Sequence, residues 1–448
     1  MENTQVFVTI PRKCTSLVLR SYTQHTQMSQ SSFHHWIPAV ETASVDYDLP
    51  IERIAQQPLP VRDESRLLRA DARSGRISHH IFHELPTLLP EDAFLVRNTT
   101  RVLPARIFAR KPTGGYVELL LVSPADGSPP DCALATNAST WECLIGGKRI
   151  REGMVLEALH DGDGICAAVR SINGMFAHVE ITCLQPTSTL AEQLSRLGQL
   201  PLPPYIRRRP TASDSERYQT VYARWSGSVA APTAGLHFTE RLLTTLHAQG
   251  TEIVDVVLHV GPGTFQPLRA EDASHHTMHA ERIHVERSSI EQLQQLTSQK
   301  HRLCVCVGTT SVRTIETLYW LGVKLLAGED SLPTMLTQEV PYTPSLAGTT
   351  ISPAEAFGAL LDWLDRQNAP ALDAATQLYI VPGYRYRVVQ ALITNFHQPR
   401  STLLLLVAAL IGPWWRTIYA EALSHGYRFL SYGDASLLIA DPASAPLT

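Results

Sequence analysis

Two β-branched apolar runs, at 253–260 and 303–307, each stop at a glycine and open onto a polar turn that leads into helical periodicity. Short continuous apolar runs of this kind belong to strands buried on both faces, and the turn and helix that follow define a βα unit around a partly parallel sheet. The rhythm before residue 200 is different. Short β-rich runs at 94–96, 117–122, 167–169 and 177–181 are separated by Gly and Asn turns at 114–115, 146–147, 161–164 and 173–174. Many short strands with regular turn signals predict a small β-barrel or sandwich. The fold class is therefore α/β: a larger α/β domain with a partly parallel sheet, plus a small barrel-like β domain inserted into it or appended to it. The expected boundaries are 69–185 for the barrel, with 41–68 and 186–448 forming the discontinuous α/β domain. Within the latter a helix is predicted to start at Ser352, with Pro353 in its first turn and Glu355 completing a capping box. Phe357, Leu360, Leu361 and Leu364 form its buried stripe.

Residues 1–40 hold three basic residues and only Glu2 as an acid, with many Ser, Thr and Gln. They are expected to form a disordered extension; a transit peptide, or a true start at Met28, also fits that composition. The longest apolar run, 403–411, falls well short of the ~20 residues needed to span a bilayer, so it predicts a buried helix or strand. Seven cysteines are scattered without a C-x-x-C pair, and Cys304 and Cys306 share one strand face, which suits core packing in a reduced, cytoplasmic protein. The net charge of −4 excludes a globally basic nucleic-acid binder, so any RNA surface must be a local patch.

Chemistry is concentrated in the polar turns that follow apolar runs, where ligands of open α/β sheets bind. VGTTSVRTIE (307–316) offers the hydroxyls of Thr309, Thr310 and Ser311 at a helix start, with Arg313 able to hold a carboxylate or phosphate. GSVAAPTAGLHF (227–238) presents Thr233 and His237. HVGPGTFQP (259–267) places His259 before Gly261, Pro262 and Gly263, where a backbone admits close approach. His275, His276, His279 and Glu281 lie close together; their spacing suits a metal, but H-E-x-x-H is absent and no cysteine is near. Neutral-pH acid–base use by these imidazoles is the alternative. NFHQPRST (395–402) carries Asn395 and His397, and SYGDAS (431–436) carries Asp434. Arg207, Arg208 and Arg209 form the one dense basic cluster, suited to RNA phosphates. Each feature also has a plain structural reading, as a cap, a turn or a solvated face.

The ordered series of segments resembles the S-adenosylmethionine:tRNA ribosyltransferase-isomerase family of queuosine biosynthesis. YDLPIERIAQQPLPVRDESRLL (47–68), LVRNTTRVLPARIFARKPTGGYVELL (95–120), LPLPPYI, YQTVYA, GSVAAPTAGLHF, HVGPGTFQP, HTMHAE, VGTTSVR, ITNFHQPRSTLLLLVAAL (393–410) and YRFLSYGDASLLI (427–439) follow in family order across 45–440. The resemblance implies transfer of the ribosyl moiety of S-adenosylmethionine onto 7-aminomethyl-7-deazaguanine in tRNA, giving epoxyqueuosine with release of adenine and methionine. It implies tRNA and S-adenosylmethionine as partners, no cofactor and no metal; a monomer is expected. Within its segments His259, His279, Glu281 and His237 are the candidate catalytic residues. Thr309, Thr310, Ser311, Arg313, Thr233, Asn395, His397 and Asp434 are the candidate substrate-binding set, and Arg207–Arg209 the RNA-binding one. The stretch 319–375 exceeds that of compact members, marking a longer subfamily. Two rival readings stand beside this one: a metal-dependent hydrolase built on 275–281, and a non-catalytic tRNA-binding paralogue.

Overall fold

In chain order the strands are β1 (Arg66–Asp71), β2 (Arg76–Ile81), β3 (Ala93–Asn98), β4 (Thr100–Val102), β5 (Arg106–Arg110), β6 (Tyr116–Pro124), β7 (Ala138–Gly146), β8 (Val155–His160), β9 (Asp163–Asn173) and β10 (Phe176–Cys183). After these come β11 (Trp225–Ser228), β12 (Ile253–Leu258), β13 (Glu281–Glu286), β14 (Leu303–Val307), β15 (Met335–Leu336), β16 (Ala371–Thr376), β17 (Ala391–Asn395) and β18 (Ala435–Ile439). The structure is a computed structural model and describes residues 36–265, 267–329 and 331–441.

One mixed ten-stranded sheet runs β15-β16-β13-β12-β3-β14-β17-β18-β1-β2. Its centre, β12, β3, β14 and β17, is parallel throughout. Alternation across the pleat supplies two cores. Phe94, Val96, Cys304 and Cys306 pack with Val312 and Leu318 of helix Thr309–Leu326 and with Phe357 and Leu360 of helix Pro353–Gln367. Their neighbours Leu95, Val305, Val307 and Ile393 pack with Leu242 and Leu246 of helix Glu240–Ala248 on the opposite face. Because both faces bury apolar side chains, each worth roughly 1.5–3 kcal/mol when removed from water, these strands read as unbroken apolar runs. The Ser352 cap, the capping box with Glu355 and the buried stripe on helix Pro353–Gln367 are present as predicted.

The barrel is a closed antiparallel ring, β10-β7-β6-β5-β8-β9, with its own core around Trp141, Ile165 and Val179. It spans β5 to β10, so the expected start at residue 69 is corrected: β1, β2 and β3 belong to the large sheet. Short strands flanked by turns look alike in sequence, and nothing local reveals that β1 pairs with β18 or β3 with β12 and β14. At the barrel's root Arg106 and Gln199 exchange backbone hydrogen bonds, 3.1 and 2.8 Å, tying the outgoing and returning chain together.

The expected disordered extension lies outside the described residues except at 36–40, and there it is corrected. Ile37 and Val40 are buried in the main core, and the Val40 N–H donates to the Asp272 carboxylate at 3.1 Å. Five residues, WIPAV, are too few to show a period, yet Ile37 and Val40 are enough to seat the chain.

The apolar run 403–411 forms helix Thr402–Ile411, which passes through a short 3₁₀ turn into helix Trp415–Ser424. Together these are apolar and long enough to cross a membrane. Leu404, Leu405, Leu406 and Val407 are instead buried in the core of the sheet domain.

Candidate active site

Carboxyl ends of β14 and β17 open onto a two-lobed cleft. The first lobe encloses about 650 Å3 and is lined by Thr233, Thr309, Thr310, Asn395, His397 and Ser431, with Tyr205 and Gln398 beside them. The second encloses about 560 Å3 and is lined by Gly263, His276, His279, Glu281, Arg313 and Tyr379. Thr309, Thr310 and Leu403 border both.

Gly308 makes the junction possible. Its φ of +86° with ψ of 156° is a conformation that essentially only glycine adopts, and it lets the chain turn from β14 straight into helix Thr309–Leu326. The start of this long helix presents its free N–H groups to the cleft. Thr310 sits there 7% exposed with its hydroxyl unpartnered. A buried hydroxyl without a partner costs free energy, and here it faces a cavity that a ligand would fill. Ser311 does not reach the cleft; its hydroxyl donates back to the Val307 carbonyl at 2.8 Å.

In the first lobe, the Thr233 hydroxyl donates to Asn395 Oδ1 at 2.8 Å. Asn395 Nδ2 then faces His237 Nε2 at 3.1 Å, and His237 Nδ1 faces the Ser65 hydroxyl at 2.7 Å. If Asn395 donates, His237 Nε2 is the acceptor and Nδ1 carries the proton. His237 thus stands behind Asn395, outside both lobes, which corrects its expected place in the cleft. Burial, with Arg428 and Arg62 adding to it, lowers its pKa to about 3. His397 does line the first lobe, and burial lowers its pKa to about 3 as well; its Nε2 lies 2.9 Å from the Thr394 hydroxyl.

These buried neutral imidazoles have a consequence for acid stability. An unfolded chain protonates them near 6.5, whereas the folded protein holds them neutral down to about 3. Below pH 6.5 the unfolded state therefore binds more protons. Their contribution is complete above 6.5 and is lost as pH falls towards 3. We expect His237→Gln to flatten the decline of Tm between pH 6.5 and 4; an unchanged slope in calorimetric melts would remove His237 from that linkage.

In the second lobe, Arg313 ion-pairs with Glu281, both nearly buried, and also donates to the Leu378 carbonyl at 3.1 Å. Glu281 accepts the Gly261 N–H at 3.0 Å, so it fixes the turn that carries Gly263. Arg313 lines the second lobe, and its guanidinium also serves Glu281. His279 is exposed at the lobe's rim, its ring 6.1 Å from Phe176 of the barrel. Gly263 lies so close that a Cβ there would stand 2.4 Å from the His279 ring.

His259 and Asp434 are also placed elsewhere. The His259 Nδ1 lies 2.9 Å from the Thr100 hydroxyl, and burial, then Arg282 and His284, lower its pKa to about 4. Its neighbour Val260 faces the first lobe instead. Asp434 is buried and accepts from the backbone N–H groups of Arg66 and Arg428, at 3.2 and 2.8 Å. Arg208 forms a bidentate pair with Asp214, 2.6 and 2.7 Å, leaving Arg207 and Arg209 as the exposed members of the basic cluster. His275 is exposed, and among the described residues no three of His275, His276, His279 and Glu281 converge on a single ion position. Residue-level reading missed Tyr205, Gln398, Ser431 and Tyr379. Gln398 and Ser431 lie inside polar segments singled out above, and Tyr205 lies in LPLPPYI, a segment of the resemblance; Tyr379 follows β16 and has no local signal.

An α/β protein with an inserted barrel and a ligand cleft at the carboxyl ends of its parallel strands is the class that fold and site define. Sequence comparison makes the class particular. Residues 42–438 match the family of queuosine biosynthesis proteins, and the chain belongs to that family. It is 41% identical over 397 residues to the S-adenosylmethionine:tRNA ribosyltransferase-isomerase of Anaeromyxobacter dehalogenans (strain 2CP-C), covering 88% of this chain and 98% of that one. Identity to the proteins of the same name from Symbiobacterium thermophilum and Thermotoga petrophila is 40% and 36%, over 88% and 89% of this chain and 98% and 100% of theirs. A crystal structure of the S-adenosylmethionine tRNA ribosyltransferase from Thermotoga maritima aligns over 88% of this chain and all of its own, with 26% identity and a TM-score of 0.42.

Proposed function

We propose that this protein transfers and isomerises the ribosyl moiety of S-adenosylmethionine onto 7-aminomethyl-7-deazaguanine in tRNA, forming epoxyqueuosine and releasing adenine and methionine. The observation that carries the reading is the two-lobed cleft, joined at an unpartnered threonine hydroxyl, in a chain whose relatives bear that activity in their names. S-adenosylmethionine is consumed rather than recycled, so the reaction as written needs no further cofactor. A tRNA substrate places the work in the cytoplasm.

The chemistry asks for proton transfers. The sulfonium acidifies the adjacent ribose C–H, adenine departs more readily when protonated, and the aminomethyl group must shed a proton before it attacks. His279 is the cleft histidine with its ring open to solvent and ligand, and it is assigned the acid–base role. Glu281 and Arg313 are positioning residues that hold the Gly261–Gly263 turn beneath it. Thr309 and Thr310 bind a polar or anionic part of the co-substrate at the helix start, and Thr233 with Asn395 reads hydrogen-bonding edges in the first lobe. Single-turnover adenine release, with tRNA bearing the aminomethyl base, tests the reading. Absence of release in the intact protein would favour a tRNA-binding paralogue.

Arg207 and Arg209 follow Tyr205, which lines the cleft, and are assigned to tRNA phosphates. Arg207→Ala/Arg209→Ala is expected to weaken tRNA binding and lower its salt slope by roughly one to two phosphate contacts. Arg208→Ala, by contrast, should act through the lost Asp214 pair and show itself in the melt. Equal effects on the salt slope from both variants would refute that division.

A further inference from the structure

Outside both lobes of the cleft, three side chains come together that the reaction does not use. His79 on β2, Glu421 on helix Trp415–Ser424 and His425 at that helix's end place one ligand atom each within 4.8 Å of one another. We propose that they form a binding site for a single divalent cation of the zinc class, clasping the edge strand of the sheet to the helix.

The distances favour an ion over simple hydrogen bonds. His79 Nε2 and His425 Nδ1 stand 3.3 and 3.2 Å from the same oxygen, Glu421 Oε1. A charge-assisted N–H···O contact closes to about 2.7–2.9 Å. Around a tetrahedral zinc ion with bonds of about 2.0–2.2 Å, neighbouring ligand atoms lie about 3.3–3.5 Å apart. The two rings stack at 4.3 Å, which holds the imidazoles side by side.

The surroundings match a metal site too. Histidine ligands usually engage a partner through their second ring nitrogen, and His79 Nδ1 lies 2.9 Å from the Tyr427 hydroxyl. With the proton on Nδ1, donated to Tyr427, the Nε2 lone pair is free to face a cation held between it and the carboxylate. His425 Nδ1 also lies 3.0 Å from the Glu421 carbonyl and 3.1 Å from the Ser424 hydroxyl, contacts it would exchange for the ion on losing its proton. The His79, Glu421 and His425 side chains are 30%, 36% and 47% exposed, which leaves water free to complete the coordination. No protein ligand is needed beyond these three.

The test is titration of the full-length protein with Zn2+ at pH 7.5 against a chromophoric chelator, together with thermal melts. The parent should bind one equivalent and melt higher with Zn2+ than with EDTA. His79→Gln and His425→Gln should each weaken binding at least about 10²-fold, since even the loss of a supporting partner costs 10–100-fold, and should abolish the melting shift. Adenine release should be the same in parent and variants, with or without EDTA. Absence of stoichiometric binding, or unchanged affinity in His79→Gln/His425→Gln, would overturn the proposal, and neither result would touch the reading of the cleft.

Discussion

Replacing His279 by Ala is expected to cut single-turnover adenine release by roughly 10²-fold or more, the usual scale for a lost general acid or base, while leaving the melt unchanged. The ring is exposed and touches little beyond Gly263 and the Phe176 edge, so its removal leaves no cavity in either core. Gly263→Ala offers an independent route to the same defect. The added methyl would lie 2.4 Å from the imidazole and must push it aside, so turnover should fall although the histidine is still present. A His279→Ala variant that releases adenine at the parent rate would take this residue out of the mechanism.

Arg313→Met should cost about 3–5 kcal/mol of stability, the scale for stranding one member of a buried ion pair. Glu281 is 5% exposed and would lose the guanidinium it pairs with. A second change separates charge from shape: in Arg313→Met/Glu281→Leu no buried charge remains, and most of the stability should return. Activity should not return, because the Gly261 N–H loses its acceptor and the turn under His279 loses its anchor. Urea unfolding of the single and double variants checks both halves. A double variant as unstable as the single one would show that packing, and not the stranded carboxylate, carries the cost.

Legibility in the sequence was high for segments and poor for individual side chains. The parallel strands were visible because burial on both faces makes 253–260 and 303–307 unbroken apolar runs, and the polar turns after them do line the cleft. Which residue in a turn faces the ligand is a matter of parity. At the end of β12, Val260 points into the first lobe and His259 points away towards Thr100, a distinction of one residue in a period of two. In the turn 233–237, Thr233 faces the lobe while His237 has rotated behind Asn395. The partners of Arg313 and Asp434 were hidden for another reason. Glu281 and the Arg66 N–H come from elements that only the fold brings near, while the Arg428 N–H is folded back from the same segment as Asp434. Pairing also explains the barrel boundary, since a strand's partner is not written in the strand.

The strand order of the large sheet carries a consequence for how the chain is made. Every barrel strand finds its neighbours between residues 106 and 183, so the ring can close while synthesis is still under way. β1 and β2 can pair at once as a hairpin, but the other edge of β1 and both edges of β3 must wait. β3 gains its partners only when 253–258 and 303–307 have emerged, and Leu67 meets Ala435 almost at the end of translation. Contacts so distant in sequence form slowly, and unpaired apolar strands are prone to aggregate in the interval. Refolding from denaturant should therefore show a fast phase from the barrel and a slow one from the sheet. On the ribosome the apolar segments of β1 and β3 would be the natural targets of a chaperone, shielded until the last strand arrives.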